Sequence, residues 1–264
     1  MKYALVGGWG YLGSNLVELL PSCVIARRSS AQRRPFLRKY FEGKEVYLLD
    51  EISEEGLKGV LEKCGADVLV YLVGKLKGSR EEMYEANVTK ALEALEAARE
   101  LGLKYVYTSS VAAMGIAERC ARSLVVKEER EHLKGCEPAG PYSETKMTGE
   151  REVLKRDPNA GIVRPALIWG ERYYHPEQKL LRAVKRYGIP WPNMSVSTVG
   201  CIANGIEEAV KGGWYLTVDT DLRGVGVKAF DWRPPLSLIR RVPGALKIAL
   251  IAMRYRYASD RVNC

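Results

Sequence analysis

The chain has 264 residues, 47% of them hydrophobic and 28% charged, with a formal net charge of +9. These totals describe one large folded domain, or one with a small appendage, and exclude disordered, collagenous and repeat architectures. No apolar run approaches the roughly 20 residues of a bilayer span, and glycines interrupt the N-terminal MKYALV before it reaches signal-peptide length, so a cytoplasmic protein is expected.

Residues 2–6 (KYALV) read as a short buried strand. Residues 11–20 have helical spacing, with Leu12, Leu16 and Leu19 on one side, and Pro21 ends them. Residues 23–26 and 46–49 are further strands. Ser53 caps a helix whose first turn holds Glu54 and Glu55, where the helix dipole favours acids. Residues 68–73 (VLVYLV) form a continuous apolar run, as in a parallel strand covered on both faces. Residues 81–101 predict a long amphipathic helix ended by Gly102. Residues 105–108 are a strand running into Ser109 and Ser110; 142–155 read as helix and 161–163 as strand.

This alternation predicts an α/β fold, a doubly wound parallel sheet (Rossmann) over residues 1–170. Residues 171–264 predict a small C-terminal α/β substrate lobe. In it, 177–187 and 202–211 are helical, 214–218 is a strand, and 236–253 is one or two basic helices broken near Pro243.

The six cysteines include no C-x-x-C pair, so no metal site is expected. Cys120 and Cys136 flank one loop and are disulfide candidates; buried free thiols are the simpler expectation. Only Gln32 and Gln178 represent glutamine, against abundant Lys, Arg and Glu, a composition that leans toward a thermophile.

Gly7, Gly10 and Gly13 lie three apart, directly after a strand and opening a helix, the context a dinucleotide-binding loop requires. The first glycine permits the turn, the second lets backbone approach a pyrophosphate, and the third lets helix pack on strand. A plain strand-to-helix turn is the structural alternative. The second strand ends in IARRSS, with no acid to hold the ribose 2′-OH of NAD. Arg27 and Arg28 suit the 2′-phosphate of NADP instead, so NADP(H) is favoured over NAD(H). Asp50 is placed either to accept from an adenine amino group or to cap the following helix.

Tyr142 and Lys146 lie four apart on one helix face. An ammonium near a phenol lowers its pKa and fits it to exchange protons with a hydroxyl or carbonyl. Ser110, at a strand end, is placed to bind the same oxygen. Y-x-x-x-K alone is common; behind a glycine loop and a Ser-Ser strand end it gains meaning.

With these motifs in order, the chain resembles the extended short-chain dehydrogenase/reductase superfamily over residues 1–170. The segments are VGGWGYLGSNL, LLDEIS, VLVYLVG, ANVTKALEALEAARELGLKYVYTSSVAAMG, GPYSETKMTGE and IVRPALIWGE. The resemblance implies Ser110, Tyr142 and Lys146 as catalytic residues, with Asn87 supporting them. It implies cofactor contacts from Gly7, Gly8, Trp9, Gly10, Tyr11, Leu12, Gly13, Asp50, Val73, Gly74, Thr108, Pro165 and Leu167. Trp9 departs from the family, which has a small residue there, and is expected to wall one side of the pyrophosphate. Lys90 stands where the family often has Gly.

Dehydratases of the family follow the catalytic hydroxyl with Asp-Glu; here Val111 and Ala112 follow Ser110, which argues against dehydration. RPALIWGE and the tail resemble the 3β-hydroxysteroid and isoprenoid reductase branch. The leading expectation is an NADP-dependent oxidoreductase of a secondary alcohol or ketone. The alternatives are a nucleotide-sugar epimerase with bound NAD, and a non-catalytic NADP(H) sensor or membrane-complex subunit. Tyr173, Tyr174, His175 and Trp191 are candidate substrate-lining residues, with core packing as the alternative, and His132 reads as a surface residue. The partners expected are a small-molecule substrate, a second copy of the chain in a homodimer, and no nucleic acid. The tail, with nine Lys/Arg and two Asp over residues 223–264, either packs as a helix over the substrate site or at a dimer interface, or contacts an anionic membrane.

Overall fold

In the computed structural model, residues 1–116, 125–126, 136–242, 244–259 and 261–264 are described; Cys120 and His132 lie outside them. In chain order the elements are β1 (Tyr3–Val6), α1 (Tyr11–Leu16), β2 (Ser22–Arg27), α2 (Arg28–Arg33), β3 (Val46–Leu49), α3 (Glu54–Cys64) and β4 (Val68–Tyr71). Then come α4 (Arg80–Tyr84), α5 (Lys90–Glu100), β5 (Lys104–Thr108), β6 (Val125–Val126), α6 (Pro141–Arg156), β7 (Gly161–Arg164), β8 (Leu167–Trp169) and α7 (Pro176–Arg186). The chain continues through β9 (Trp191–Pro192), β10 (Ser195–Thr198), α8 (Val199–Ala209), β11 (Gly213–Leu216), β12 (Thr220–Asp221), β13 (Ala229–Phe230), α9 (Leu236–Arg241), α10 (Gly244–Arg254) and β14 (Arg256–Tyr257).

The central sheet has seven strands in the order β11-β7-β5-β4-β1-β2-β3, all parallel. The order in which strands are added reverses between β1 and β4, the switch point where such sheets bind ligands at their carboxyl ends. One face is covered by α3, α5 and α6, where Leu57, Leu61, Leu95 and Tyr107 are buried; α1 and α8 cover the other over Leu16, Val24, Ile202 and Ile206. A third cluster, with Leu181, Val196, Ile239 and Ile251, fills the C-terminal lobe.

Four expectations are corrected. First, α1 stops at Leu16, and residues 17–20 turn before Pro21 instead of completing the helix. Second, the sheet crosses the boundary expected at residue 170: β11 is its edge strand, and α8 packs against α1 and β7. Third, the run between α4 and α5 is a π turn over Glu85–Thr89, a local widening that commonly marks functional positions; Asn87 sits in it. Fourth, the thiols are not free. Cys23 is bonded to Cys64 across Cα atoms 6.3 Å apart, Cys201 to Cys264 across 4.7 Å, and Cys136 is also disulfide-bonded. Neighbouring elements bring these Cα atoms within bridging range. No helix among the described residues is long and apolar enough to cross a membrane.

Candidate functional site

The glycine loop joins β1 to α1. Gly7 has φ +86°, a conformation for glycine, and a Cβ there would lie 2.8 Å from Val73 Cγ2. A Cβ on Gly8 would meet Leu5 O and Val24 Cγ1 at 2.9 Å, and one on Gly13 would overlap the backbone of Gly8. Folding alone therefore accounts for these three. Gly10 differs. Its backbone is extended (φ −92°), which any residue adopts, and a Cβ there would meet only Gly7 O, at 3.1 Å. The fold constrains position 10 less than the other three, and a phosphate approaching the loop adds a reason for glycine there. The first bond into α1 runs from Ser14 N–H to Gly10 O (3.0 Å), so the N–H groups of Tyr11, Leu12 and Gly13 lie ahead of it, pointing out of the helix start. These residues fit a dinucleotide pyrophosphate.

The side chains around the loop behave differently from expectation. The Trp9 indole is buried, stacked on Phe41 at 4.3 Å, and its Nε1 donates to Arg34 O (3.1 Å). Arg34 donates back to Trp9 O at 3.3 Å. Trp9 thus fastens the basic segment after β2 onto the loop, and its indole is turned into the core rather than walling the pyrophosphate. Leu12 is buried in the same cluster. The Tyr11 hydroxyl accepts from Gly170 N–H (2.8 Å), and burial pushes its pKa up to about 12.

Arg27 ends β2 and Arg28 opens α2, and both are exposed. Arg28 Nε donates to Asp50 Oδ1 at 3.0 Å, so the two candidates on the adenosine side hold each other. Both are exposed, and such a surface pair is worth about 0–1 kcal/mol; it yields readily to a ligand phosphate.

At the carboxyl end of β4, Val73 touches Gly7, and a Cβ on Gly74 would lie 3.5 Å from Lys146 Nζ. Two residues therefore link the glycine loop to the candidate catalytic lysine. Asn87 is fully buried; its Oδ1 accepts from Lys75 N–H (2.9 Å), and its Nδ2 donates to Lys75 O (3.1 Å) and Thr145 Oγ1 (2.9 Å). It clamps the loop after β4 to α6.

Lys146 is buried and donates to Thr108 O at 2.9 Å. Burial pulls its pKa down to about 7, with the Glu150 carboxylate opposing. Tyr142 is half-buried, and burial of its phenol pushes the pKa up to about 12; a hydrogen bond with Ser110 works the other way. The expected lowering of Tyr142 by Lys146 is thus corrected: burial dominates both groups. Ser110 precedes a 3-10 turn over Val111–Met114 and accepts from Ala112 N–H (3.2 Å). Ser143 of α6 donates to Ala112 O at 2.6 Å, drawing that turn onto α6. Pro165 O accepts from Val111 N–H (3.0 Å), which brings the end of β7 beside Ser110. Leu167 is half-buried at the start of β8 and packs toward the third core cluster.

Sequence reading missed Glu150 and Arg164. Arg164 Nε and Nη2 donate to the two Glu150 oxygens at 2.9 and 2.6 Å, with both side chains at most 1% exposed. Glu150 continues the four-residue spacing Tyr142, Lys146, Glu150 along α6, which was the available signal. Arg34 was missed as well.

The candidate substrate residues do not gather at Ser110 and Tyr142. Tyr174 and His175 pack edge-on to Tyr11 at 6.2 Å, Tyr174 meets Phe36 at 5.7 Å, and Arg34 lies over the Tyr174 ring at 5.4 Å. On the other side, Glu177 pairs with Lys77 from the loop after β4. The segment 174–177 therefore straddles the glycine loop. Burial pulls His175 below its ordinary pKa. Tyr173 is exposed beneath Arg182, and Trp191 lines the third core.

Residues 3–188 match the NAD dependent epimerase/dehydratase family. Among curated proteins, the chain is 29% identical over 171 residues to a ceramide reductase of Caulobacter vibrioides, covering 63% of this chain and 46% of that one. It is 29% identical over 191 residues to sterol demethylase protein B of Methylococcus capsulatus, covering 67% and 54%. The chain thus spans about half the length of the curated relatives it matches. Among solved structures, UDP-glucuronic acid 4-epimerase of Bacillus cereus in complex with NAD superposes with a TM-score of 0.65 at 16% identity, covering 87% of this chain and 85% of that one.

Proposed function

The chain belongs to the NAD dependent epimerase/dehydratase family, and from that premise we propose that it is a nicotinamide-dependent oxidoreductase of an apolar secondary alcohol or ketone, preferring NADP(H). The observation that carries this reading is the short path from Gly7 through Val73 and Gly74 to Lys146 Nζ. A phosphate-binding loop and proton-handling side chains meet there at one end of one sheet. The names of the ceramide and sterol relatives support an apolar substrate.

A bound nicotinamide would donate or accept the hydride at the carbonyl carbon. Gly10 and the amides of Tyr11 to Gly13 would hold its diphosphate, and Arg27 and Arg28 a 2′-phosphate. With its pKa near 12, Tyr142 carries its proton throughout the physiological range and stands as the acid for a carbonyl oxygen. Ser110 orients that oxygen. Lys146, charged below about pH 7, stabilises the phenolate left behind. Reduction should therefore weaken as pH rises through the Lys146 value, and a pH–rate profile checks this.

The test of the function is consumption of NADPH with a panel of steroid and long-chain ketones. Turnover of at least one, lost in Tyr142→Phe, is expected; nucleotide binding without turnover of any would favour the sensor reading. For the 2′-phosphate, Arg28→Ala should weaken NADPH binding about 10- to 100-fold, the range of a charged hydrogen bond, and leave NADH unchanged. Equal loss of both would remove Arg28 from that role.

One observation favours nucleotide-sugar epimerisation as a second reading. The 174–177 segment is tied down on both sides of the glycine loop, which suits a cofactor retained while hydride returns to the same molecule. NAD surviving purification, with binding of a UDP-sugar, is the result that reading expects.

A further inference from the structure

Three buried tyrosines stand on one face of two neighbouring strands: Tyr71 of β4, and Tyr105 and Tyr107 of β5. All three lie in the core cluster covered by α3, α5 and α6. Each hydroxyl donates to a backbone carbonyl at 2.7 Å: Tyr71 to Ala86 O, Tyr107 to Asn87 O and Tyr105 to Ala91 O. A buried phenol needs such a partner. Two of the three acceptors belong to the π turn over Glu85–Thr89.

Tyr107 also meets the candidate catalytic helix, at both ends of its side chain. Lys146 Nζ lies over its ring, 4.8 Å from the centroid, and the same nitrogen donates to Thr108 O at 2.9 Å. A cation over a ring face is attracted by the ring quadrupole, most strongly away from water. At the hydroxyl end, Gly149 sits in the interior of α6, where glycine is unfavourable. A Cβ there would lie 2.5 Å from Tyr107 Oη and 2.7 Å from Asn87 O. The glycine makes room for that one hydrogen bond.

The charge acting on Lys146 is that of Glu150, one turn along α6, and Glu150 is already paired with Arg164 of β7. The groups that face the lysine from β5 and from the loop after β4 are neutral: Thr108 O, Gly74, the Asn87 amide and Tyr107. Burial pushes the Tyr107 phenol well above the ordinary tyrosine value, so it keeps its proton. The ring is therefore a principal partner of an ammonium that water does not reach.

We propose that Tyr107 is a positioning residue for Lys146: its ring seats the ammonium, and its hydroxyl, on Asn87 O, fixes that ring against the π turn. This role rests on the part given to Lys146 in proton handling. With it, β5 as well as α6 sets where the ammonium stands and the pH at which it is lost.

The test is nuclear magnetic resonance of the full chain carrying carbon-13 in its lysines, without cofactor or substrate. The Lys146 signal is the one missing from Lys146→Met. In wild type, ring current from Tyr107 should move the Lys146 ε-methylene protons upfield of the other lysines. Tyr107→Phe keeps the ring and should keep that shift. Tyr107→Leu should abolish it and lower the pH at which Lys146 loses its proton by about one unit, a tenfold change in proton affinity. Tyr105→Leu removes another buried tyrosine about 7 Å back along the strand and should change neither. Should Tyr107→Leu fail to fold, the wild-type and Tyr107→Phe spectra decide. In the rate profile, Tyr107→Leu should move the alkaline limb to lower pH, and Tyr107→Phe should leave it in place. The spectrum needs no reaction, so its failure is distinct from a failure of the proposed oxidoreductase. Lys146 protons at the ordinary lysine position in wild type would overturn the proposal. So would an upfield shift that survives Tyr107→Leu, or equal changes in Tyr107→Leu and Tyr105→Leu.

Discussion

Replacing Tyr142 with phenylalanine is expected to lower turnover by about 10²- to 10⁴-fold, the usual contribution of a positioned general acid, while cofactor affinity stays unchanged. The change removes one hydroxyl from a half-buried ring and leaves α6, the 3-10 turn and the glycine loop in place. Its hydroxyl is hydrogen-bonded with Ser110 and keeps its proton at neutral pH, since its pKa lies near 12. Ser110→Ala should cost less, because it removes orientation and leaves the acid. Steady-state rates with a carbonyl substrate, beside a fluorescence titration of NADPH, check both. Turnover retained in Tyr142→Phe would remove the tyrosine from the chemistry.

The largest effect on stability is expected at Glu150 and Arg164. Neither side chain reaches solvent, and each is held by two hydrogen bonds to the other. Removing one partner leaves a buried charge alone, at about 3–5 kcal/mol, whereas replacing both with apolar residues of similar volume is often neutral. Arg164→Met or Glu150→Leu should each destabilise by that amount, and the double variant should recover most of it in chemical denaturation. Equal losses in the single and double variants would contradict this. The double variant also tests the link to Lys146. Glu150 opposes the downward pull of burial on that lysine; without the carboxylate the lysine pKa falls further. The ammonium is then lost at lower pH, so the alkaline limb of the rate profile moves to lower pH.

What was legible in the sequence is what is local in it. The glycine spacing, the four-residue step from Tyr142 to Lys146 and the Ser-Ser strand end are short patterns whose geometry follows from one helix or one turn. The parallel strands announced themselves by continuous apolar runs, and Val46–Leu49 falls where periodicity placed it. The rest depends on which distant residues the fold brings together. Trp9 found its role only when Phe41 arrived on another segment. The pair of Glu150 and Arg164 needs the packing of α6 on β7. Cys23 and Cys64 lie 41 residues apart and meet because β2 lies beneath α3. Tyr174 and His175 belong to the second half of the chain yet settle on Tyr11, in the first helix. Burial, which sets the pKa values of Tyr142 and Lys146, is likewise a property of the whole molecule rather than of their spacing.

The central claim is that the loop from Gly7 to Gly13 holds a nicotinamide dinucleotide beside Tyr142. Calorimetric titration of wild type and Gly10→Val with NADPH and NADH tests it most directly. The extended backbone of Gly10 suits an L residue, and the one close neighbour of an added Cβ, Gly7 O at 3.1 Å, has to give by a few tenths of an ångström, while the valine side chain blocks a diphosphate. Saturable binding of one nucleotide per chain, lost in a Gly10→Val protein that still unfolds in one cooperative transition, is the predicted result. Failure of wild type to bind either nucleotide, or binding that survives Gly10→Val, would contradict the account.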